Sequence, residues 1–172
     1  GEFDKAILIH QNLLSRPKLD KGIKNQTLYE LGKDFFSAGL YDKSEKILLN
    51  LKNNKSYEES CSEYLLLIYE LSKDWDSAIK FTKNMNNDKI RNISINHLIS
   101  QYYCEKAYEY QKDNQLNKAI TVLRKAININ DSSSRPFSML FKINIHSNPT
   151  IALDNLLNWI ETGNRPHFKQ IK

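Results

Sequence analysis

Residues 28–48 read LYELGKDFFSAGLYDKSEKIL. The pattern is helical, yet Gly32 stands between Leu31 and Lys33, and the stretch then runs through Gly39 and Tyr41 to the small Ser44. A glycine inside a helix costs about 1 kcal/mol relative to alanine, so something must offset it. Close packing of a second helix against that position would do so.

The stretch recurs. Leu28, Leu31, Gly32, Phe35, Gly39, Tyr41, Ser44, Leu48 and Leu51 lie 34 residues before Ser62, Leu65, Leu66, Tyr69, Lys73, Trp75, Ala78, Thr82 and Met85. The template fits again at Tyr103, Ala107, Tyr110, Leu116, Ala119, Leu123 and Ala126. It fits more weakly through Leu140, Ile143, Ala152, Leu156 and Trp159, and as a half-copy at Ala6, His10 and Leu13. A period of 34 with small and aromatic residues in register resembles the tetratricopeptide repeat, in which each unit is an antiparallel pair of helices, A and B. The small residues Gly32 and Ala107 in helix A, and Ser44, Ala78, Ala119 and Ala152 in helix B, let the helix axes approach closely. Leu31, Phe35, Tyr69, Tyr110 and Trp75 fill the space around each contact. Leu66 breaks the small-residue rule.

The expected fold is therefore all-α, a tetratricopeptide-repeat superhelix, that is, a right-handed solenoid of antiparallel helix pairs. The predicted helices cover 4–15, 25–37, 42–53, 57–72, 75–86, 89–112, 115–128, 134–146 and 149–162. Gly39 is placed to cap a helix A in the left-handed region, Asp88 and Ser132–Ser134 to cap helix starts, and Gly163 to end the last helix. Pro136 suits a first helical turn. Ala78 and Ala119 are 41 apart, seven more than the repeat. Seven residues make about two helical turns, which predicts a lengthened third helix A projecting Asn86–Asn92 beyond the stack. Residues 1–3 read as a cloning remnant, 4–163 as a half repeat plus four repeats, and 164–172 as a tail. Both ends of such an array expose apolar edges, so the chain reads as part of a longer array.

Composition narrows the function. The 172 residues are 40% apolar and 26% charged, which excludes a disordered chain, and 5 Gly with 4 Pro supply little turn chemistry for an all-β fold. No window approaches the roughly 18 consecutive apolar residues of a membrane helix. Cys61 and Cys104 stand alone and are expected to be reduced and buried. The net charge of +5 comes from lysines interleaved with acids, a pattern of solvated helix faces more than of a nucleic-acid stripe. The four histidines are scattered, and no metalloprotease, phosphate-loop or nucleophile-elbow motif occurs. Asp74 and Asp76 around Trp75 read as caps and dipole partners. Catalysis is not expected, and no cofactor or metal is expected within this segment.

A binding face is expected instead. In this repeat, helix A lines a concave groove at about its second, fifth, ninth and twelfth positions. Those positions fall on Gln26, Tyr29, Lys33 and Phe36, on Glu63, Leu67 and Glu70, on Gln101, Cys104, Tyr108 and Lys112, and on Phe137 and Phe141. Aromatic side chains with a few charges suit protein recognition, since they give large contact area at low entropy cost. Burial in the core is the competing reading for Leu67, Phe137 and Phe141. The acids Glu30 and Glu63 make the groove unsuited to an acidic peptide tail.

Four stretches carry a closer resemblance: IHQNLL at 9–14, LGKDFFSAGLYDKSE at 31–45, DWDSAIKF at 74–81 and YYCEKA at 102–107. Together with the seven-residue enlargement they resemble the cytoplasmic repeat domain of the lipopolysaccharide assembly protein B family. The resemblance implies an adapter tethered to a bacterial inner membrane, with a membrane helix before the repeats and a rubredoxin-like metal knuckle after them. It implies as partners the lipid A deacetylase and a membrane AAA protease. This chain has neither the membrane helix nor paired Cys-x-x-Cys motifs, so no residue here inherits those roles. A repeat scaffold of another complex, or a nucleic-acid-binding helical repeat suggested by the pI near 9.1, are the alternatives.

Overall fold

The computed structural model describes residues 2–85, 88–145 and 148–161. The tail at 164–172, the helix stop at Gly163 and the Asn86 end of the expected projection lie outside the described residues. The chain divides into two compact units, Gly1–Asp74 and Trp75–Lys172. The first holds α1 (Glu2–Leu14), α2 (Lys21–Ser37), α3 (Tyr41–Leu51) and α4 (Glu58–Leu71). The second holds α5 (Trp75–Lys83), β1 (Lys89–Ile90), β2 (Ile93–Ser94), α6 (Ile95–Lys112), α7 (Leu116–Ile129), α8 (Ser134–Asn144) and α9 (Pro149–Glu161). Hairpins of helices with the 34-residue template on their contacts make this an all-α, tetratricopeptide-type fold.

Gly32 behaves as its sequence setting requires. A Cβ built there would meet Leu48 Cδ2 at 3.0 Å and Leu48 Cγ at 3.3 Å. Leu48 is 0% exposed. At this separation the Ser44 hydroxyl donates to the Gly32 carbonyl at 2.8 Å, so a side chain of α3 bonds the backbone of α2. In the second unit Ala107 of α6 and Ala119 of α7 occupy the corresponding positions, and both are fully buried with Leu123 and Ala126. Trp75 stacks on Tyr102 with ring centroids 6.1 Å apart, and the Lys106 ammonium pairs with Asp76, which the sequence offered as a cap or dipole partner.

Three helices end in the same way. At the end of α2, Gly39 N–H bonds the Phe36 carbonyl and Leu40 N–H bonds the Phe35 carbonyl, with Gly39 at φ +74°. This is the Schellman pattern, which satisfies the last helical carbonyls through one left-handed residue. Lys73 (φ 54°) and Asn114 (φ 58°) repeat it, through Asp74 N–H to Tyr69 O and Gln115 N–H to Tyr110 O. At its start, α2 begins earlier than predicted because Asp20 caps it, accepting from the N–H groups of Gly22 at 2.8 Å and Ile23 at 3.2 Å.

The seven extra residues do not lengthen the third helix A. Before that helix, residues 89–94 form a hairpin in which Lys89 pairs with Ser94 and Ile90 with Ile93. Arg91 and Asn92 turn the chain with φ of 51° and 62°, the left-handed pair that a two-residue hairpin demands. The helix α6 then starts at Ile95, after Ser94, and Asp88 contributes its carbonyl to Ile95 N–H at 3.0 Å in place of a side-chain cap. Ser133 precedes α8, and Pro136 sits in its first turn as expected.

Two substitutions test these contacts. Gly32→Ala is expected to lower the urea-unfolding free energy by about 1 kcal/mol, since buried Leu48 has nowhere to move. In a Leu48→Ala background the same change should turn stabilising, as only the helix-propensity gain remains; equal effects in both backgrounds would refute the close contact. Gly39→Ala should cost about 1–2 kcal/mol by backbone strain alone, because an added Cβ there meets nothing within 4 Å.

Candidate functional site

The spacing of Gln26, Tyr29, Lys33 and Phe36 places them on one face of α2. Neighbouring residues hold them there. Tyr57 Oη donates to Gln26 Oε1 at 3.0 Å, and Gln26 Nε2 donates to Glu30 Oε1 at 3.0 Å. Glu30 Oε2 accepts from Lys33 Nζ at 2.8 Å, and this ammonium lies 5.4 Å from the Tyr29 ring centroid. The Tyr29 ring meets Tyr57 at 5.5 Å and, edge-on, Tyr64 at 6.2 Å. Phe36 meets Tyr64 edge-on at 5.2 Å and Tyr41 at 5.7 Å. The result is a run of five rings contributed by α2, the first residue of α3, the residue before α4 and α4 itself, with the Lys33 ammonium against it.

Burial raises the Tyr29 phenol above its ordinary range, against a hydrogen bond with Ser60, so the ring keeps its proton at neutral pH. The bond to Glu30 raises Lys33, which keeps its charge. Glu63, Leu67 and Glu70 of α4 are half-buried, as are Tyr29, Lys33 and Phe36, while Gln26 is exposed.

The second unit presents a different surface. Gln101 is half-buried on α6, and Tyr108 (47% exposed) and Lys112 are exposed, with Lys112 Nζ 4.8 Å from the Tyr108 centroid. Arg135 of α8 donates from Nη1 to Gln101 Oε1 at 2.8 Å and from Nη2 to Glu105 Oε1 at 2.6 Å. Phe137 does not belong to this face. It is only 6% exposed and packs on Trp159 with centroids 6.4 Å apart, and Cys104 is fully buried. Phe141 is half-buried. The helical register turns position 137 inward and leaves Arg135 at the rim.

Tyr57, Tyr64, Tyr41 and Arg135 were not read from the sequence as site residues. A signal existed for Arg135, since it lies one 34-residue period after Gln101. Tyr64 sits one place beyond Glu63, where the template points toward the neighbouring helix A.

Among the described residues no group of three histidine, cysteine or acidic side chains is placed to hold a metal ion. Both cysteines are free and buried, as their isolation in the sequence predicted, and burial pushes each thiol up to about 11. Tyr69, whose hydroxyl donates to Glu45 at 2.7 Å, is raised by burial and by that carboxylate.

A helical-repeat protein of the tetratricopeptide type is the class that the fold and these faces define. The chain is similar to lipopolysaccharide assembly protein B of Escherichia coli strain K12, with 30% identity over 146 residues, 83% of this chain and 36% of that protein. It is also similar to lipopolysaccharide assembly protein B of Haemophilus influenzae strain KW20 Rd, with 28% identity over 140 residues, 81% of this chain and 35% of that protein. The resemblance carried by the four sequence stretches is thus shown across most of the chain, which spans about a third of the length of the curated relatives it matches. Among solved structures, a crystal structure of MamA gives a TM-score of 0.44 at 19% identity, covering 94% of this chain and 88% of that one. MamA from Desulfovibrio magneticus RS-1, residues 41 to the end, gives 0.42 at 15%, covering 94% and 85%. No protein-family model matches.

The raised thiols set an alkaline limit on stability. A group that holds its proton more tightly when folded stabilises the fold fully below its unfolded value of 9.0, and that contribution is lost as pH rises through about 11. The melting temperature is therefore expected to fall between pH 9 and 11, and to fall less steeply in a Cys61→Ala/Cys104→Ala variant. Identical slopes in thermal melts followed by circular dichroism would show that the thiols contribute nothing.

Proposed function

We propose that the chain is a non-catalytic protein–protein adapter of the lipopolysaccharide assembly type. It acts at the cytoplasmic face of a bacterial inner membrane and helps bring the lipid A deacetylase to a membrane AAA protease, so that lipopolysaccharide output is held to need. Its own part is recognition of a protein partner on the faces of its A helices. The similarity to lipopolysaccharide assembly protein B supports the pathway, and the ring run Tyr57–Tyr29–Tyr64–Phe36–Tyr41 supports the mode of binding. That run is the observation that carries the reading. Rings already fixed by one another lose little freedom when a partner covers them. No helix among the described residues is long and apolar enough to cross a membrane.

Calorimetric titration with the purified lipid A deacetylase of the same organism, at two salt concentrations, tests the proposal. Saturable binding is expected. Tyr29→Ala and Tyr108→Ala should each weaken it by about tenfold, the loss of an aromatic contact near the centre of an interface. Exposed Tyr108 should do so with its melting curve unchanged, and half-buried Tyr29 with a small drop. Normal binding by both variants would refute the groove.

A further inference from the structure

Charge is unevenly spread along the chain. From Asn114 to Leu153 the sequence holds Lys118, Arg124, Lys125, Arg135 and Lys142 against a single acid, Asp131. The helix α7 lies inside that stretch and contains no aspartate or glutamate. The other helices in the B position, α3, α5 and α9, each carry acids: Asp42 and Glu45, Asp76, and Asp154 and Glu161.

The cations of α7 are gathered on one side of it. At 100° per residue, Arg124, Asn117, Asn128, Thr121, Lys125 and Lys118 follow one another around the helix within about 120°. All six are exposed. The arc faces away from Ala119, Val122, Leu123 and Ala126, the side chains that α7 buries. Lys118 Nζ lies 5.7 Å from the Tyr110 ring centroid. Among the described residues no ion pair involves Arg124 or Lys125. Arg135 differs, being taken up by Gln101 and Glu105.

The composition of the arc limits what it can hold. A protein partner draws its binding energy from an apolar or aromatic centre, and single-stranded nucleic acid needs rings to stack on. The arc offers neither, since its side chains are lysine, arginine, threonine and asparagine. Duplex DNA presents phosphates at fixed spacing, and three cations along about 10 Å of helix neutralise few of them. An anionic bilayer imposes no such register. Its headgroups move sideways to meet the cations that approach, and each lysine or arginine near the surface adds to the attraction.

We propose that the outward arc of α7 is a peripheral docking surface for a bilayer rich in anionic phospholipid. Lys118, Arg124 and Lys125 hold it to the headgroups, the helix lies parallel to the surface, and no apolar side chain inserts. This rests on the function proposed above only in placing the chain beside a membrane. Three cations give a weak, reversible and salt-sensitive contact, which orients the second unit on the membrane without anchoring it.

Co-sedimentation of the full 172-residue chain with vesicles, at low and at high salt, tests this. One set of vesicles is phosphatidylcholine alone, and the other contains equal parts of phosphatidylglycerol and phosphatidylcholine. Binding is expected to the anionic vesicles only, and should fade at high salt. Lys118→Gln/Arg124→Gln/Lys125→Gln keeps good helix formers at exposed positions, so its melting curve should not change. Its binding should fall about hundredfold, at about fivefold for each cation removed. Lys21→Gln/Lys24→Gln/Lys46→Gln removes the same charge from exposed positions of the first unit, and should alter binding by less than about threefold. No binding to the anionic vesicles, equal binding to the neutral ones, or equal losses in the two triple variants would overturn the proposal. So would capture of a labelled DNA duplex through the same three residues in place of vesicles, which would assign the arc to nucleic acid. Vesicle binding that the α7 variant loses, beside a failed deacetylase titration, leaves the arc standing and removes the adapter reading. Deacetylase binding without vesicle binding does the reverse.

Discussion

The contact between Gly32 and Leu48 governs the geometry of the first unit. With a Cβ at position 32 only 3.0 Å from a fully buried leucine, α3 sits as close to α2 as the absence of a side chain allows. The Ser44–Gly32 hydrogen bond depends on that closeness, because a serine side chain is too short to reach a partner helix's carbonyl across an ordinary gap. The bond also satisfies a buried hydroxyl that would otherwise be costly. Position and rotation of α2 are then set from one side, which fixes the orientation of the adjoining face that carries Tyr29 and Lys33. The second unit has Ala107 and Ala119 at the corresponding positions, both fully buried, where small side chains stand in place of the glycine and the serine.

The helix ends make the period of the sequence a period of structure. In each of the three stops the left-handed residue comes two places before the next helix begins: Gly39 before Tyr41, Lys73 before Trp75 and Asn114 before Leu116. A Schellman stop fixes the direction in which the chain leaves a helix, so within each unit the two-residue step turns one helix back onto the next. Lysine at 73 accepts the left-handed conformation despite its side chain, which shows the turn geometry overriding local preference. The template captured this as the alignment of Gly39 with Lys73 and of Tyr41 with Trp75, before any turn was seen.

What was legible follows from how each feature is encoded. Burial by small residues at fixed spacing is written directly in the order of residues, so the hairpins and the buried cysteines could be read. The hairpin at 89–94 could not, because an insertion of seven residues fits two helical turns as well as it fits two short strands and a turn. Ile90 and Ile93 with Arg91–Asn92 between them were the available sign, but two-residue strands carry too little alternation to outweigh a helical reading. Phe137 was misplaced for a related reason. A groove position and a core position differ by one residue on a helix, about 100° of rotation, and the fourth repeat has Leu140 in helix A where Gly32 and Ala107 are small, so nothing in that helix fixes the angle. Arg135, two places earlier, takes the rim instead.

The two faces offer a partner different chemistry. In the first unit the polar groups serve the rings: Tyr57, Gln26, Glu30 and Lys33 form a connected set of bonds whose effect is to hold Tyr29 in place. In the second the rings are few and Arg135 is forked between Gln101 and Glu105, so the rigid element is a charge. Preorganisation of either kind lowers the entropy that binding must overcome. It favours different ligands, however, because rings accept apolar and cationic side chains with loose geometry, whereas a guanidinium rewards only a partner that matches its fork. A partner of the first face is therefore selected by contact area and a partner of the second by hydrogen-bond geometry, two kinds of selectivity carried by one repeated fold.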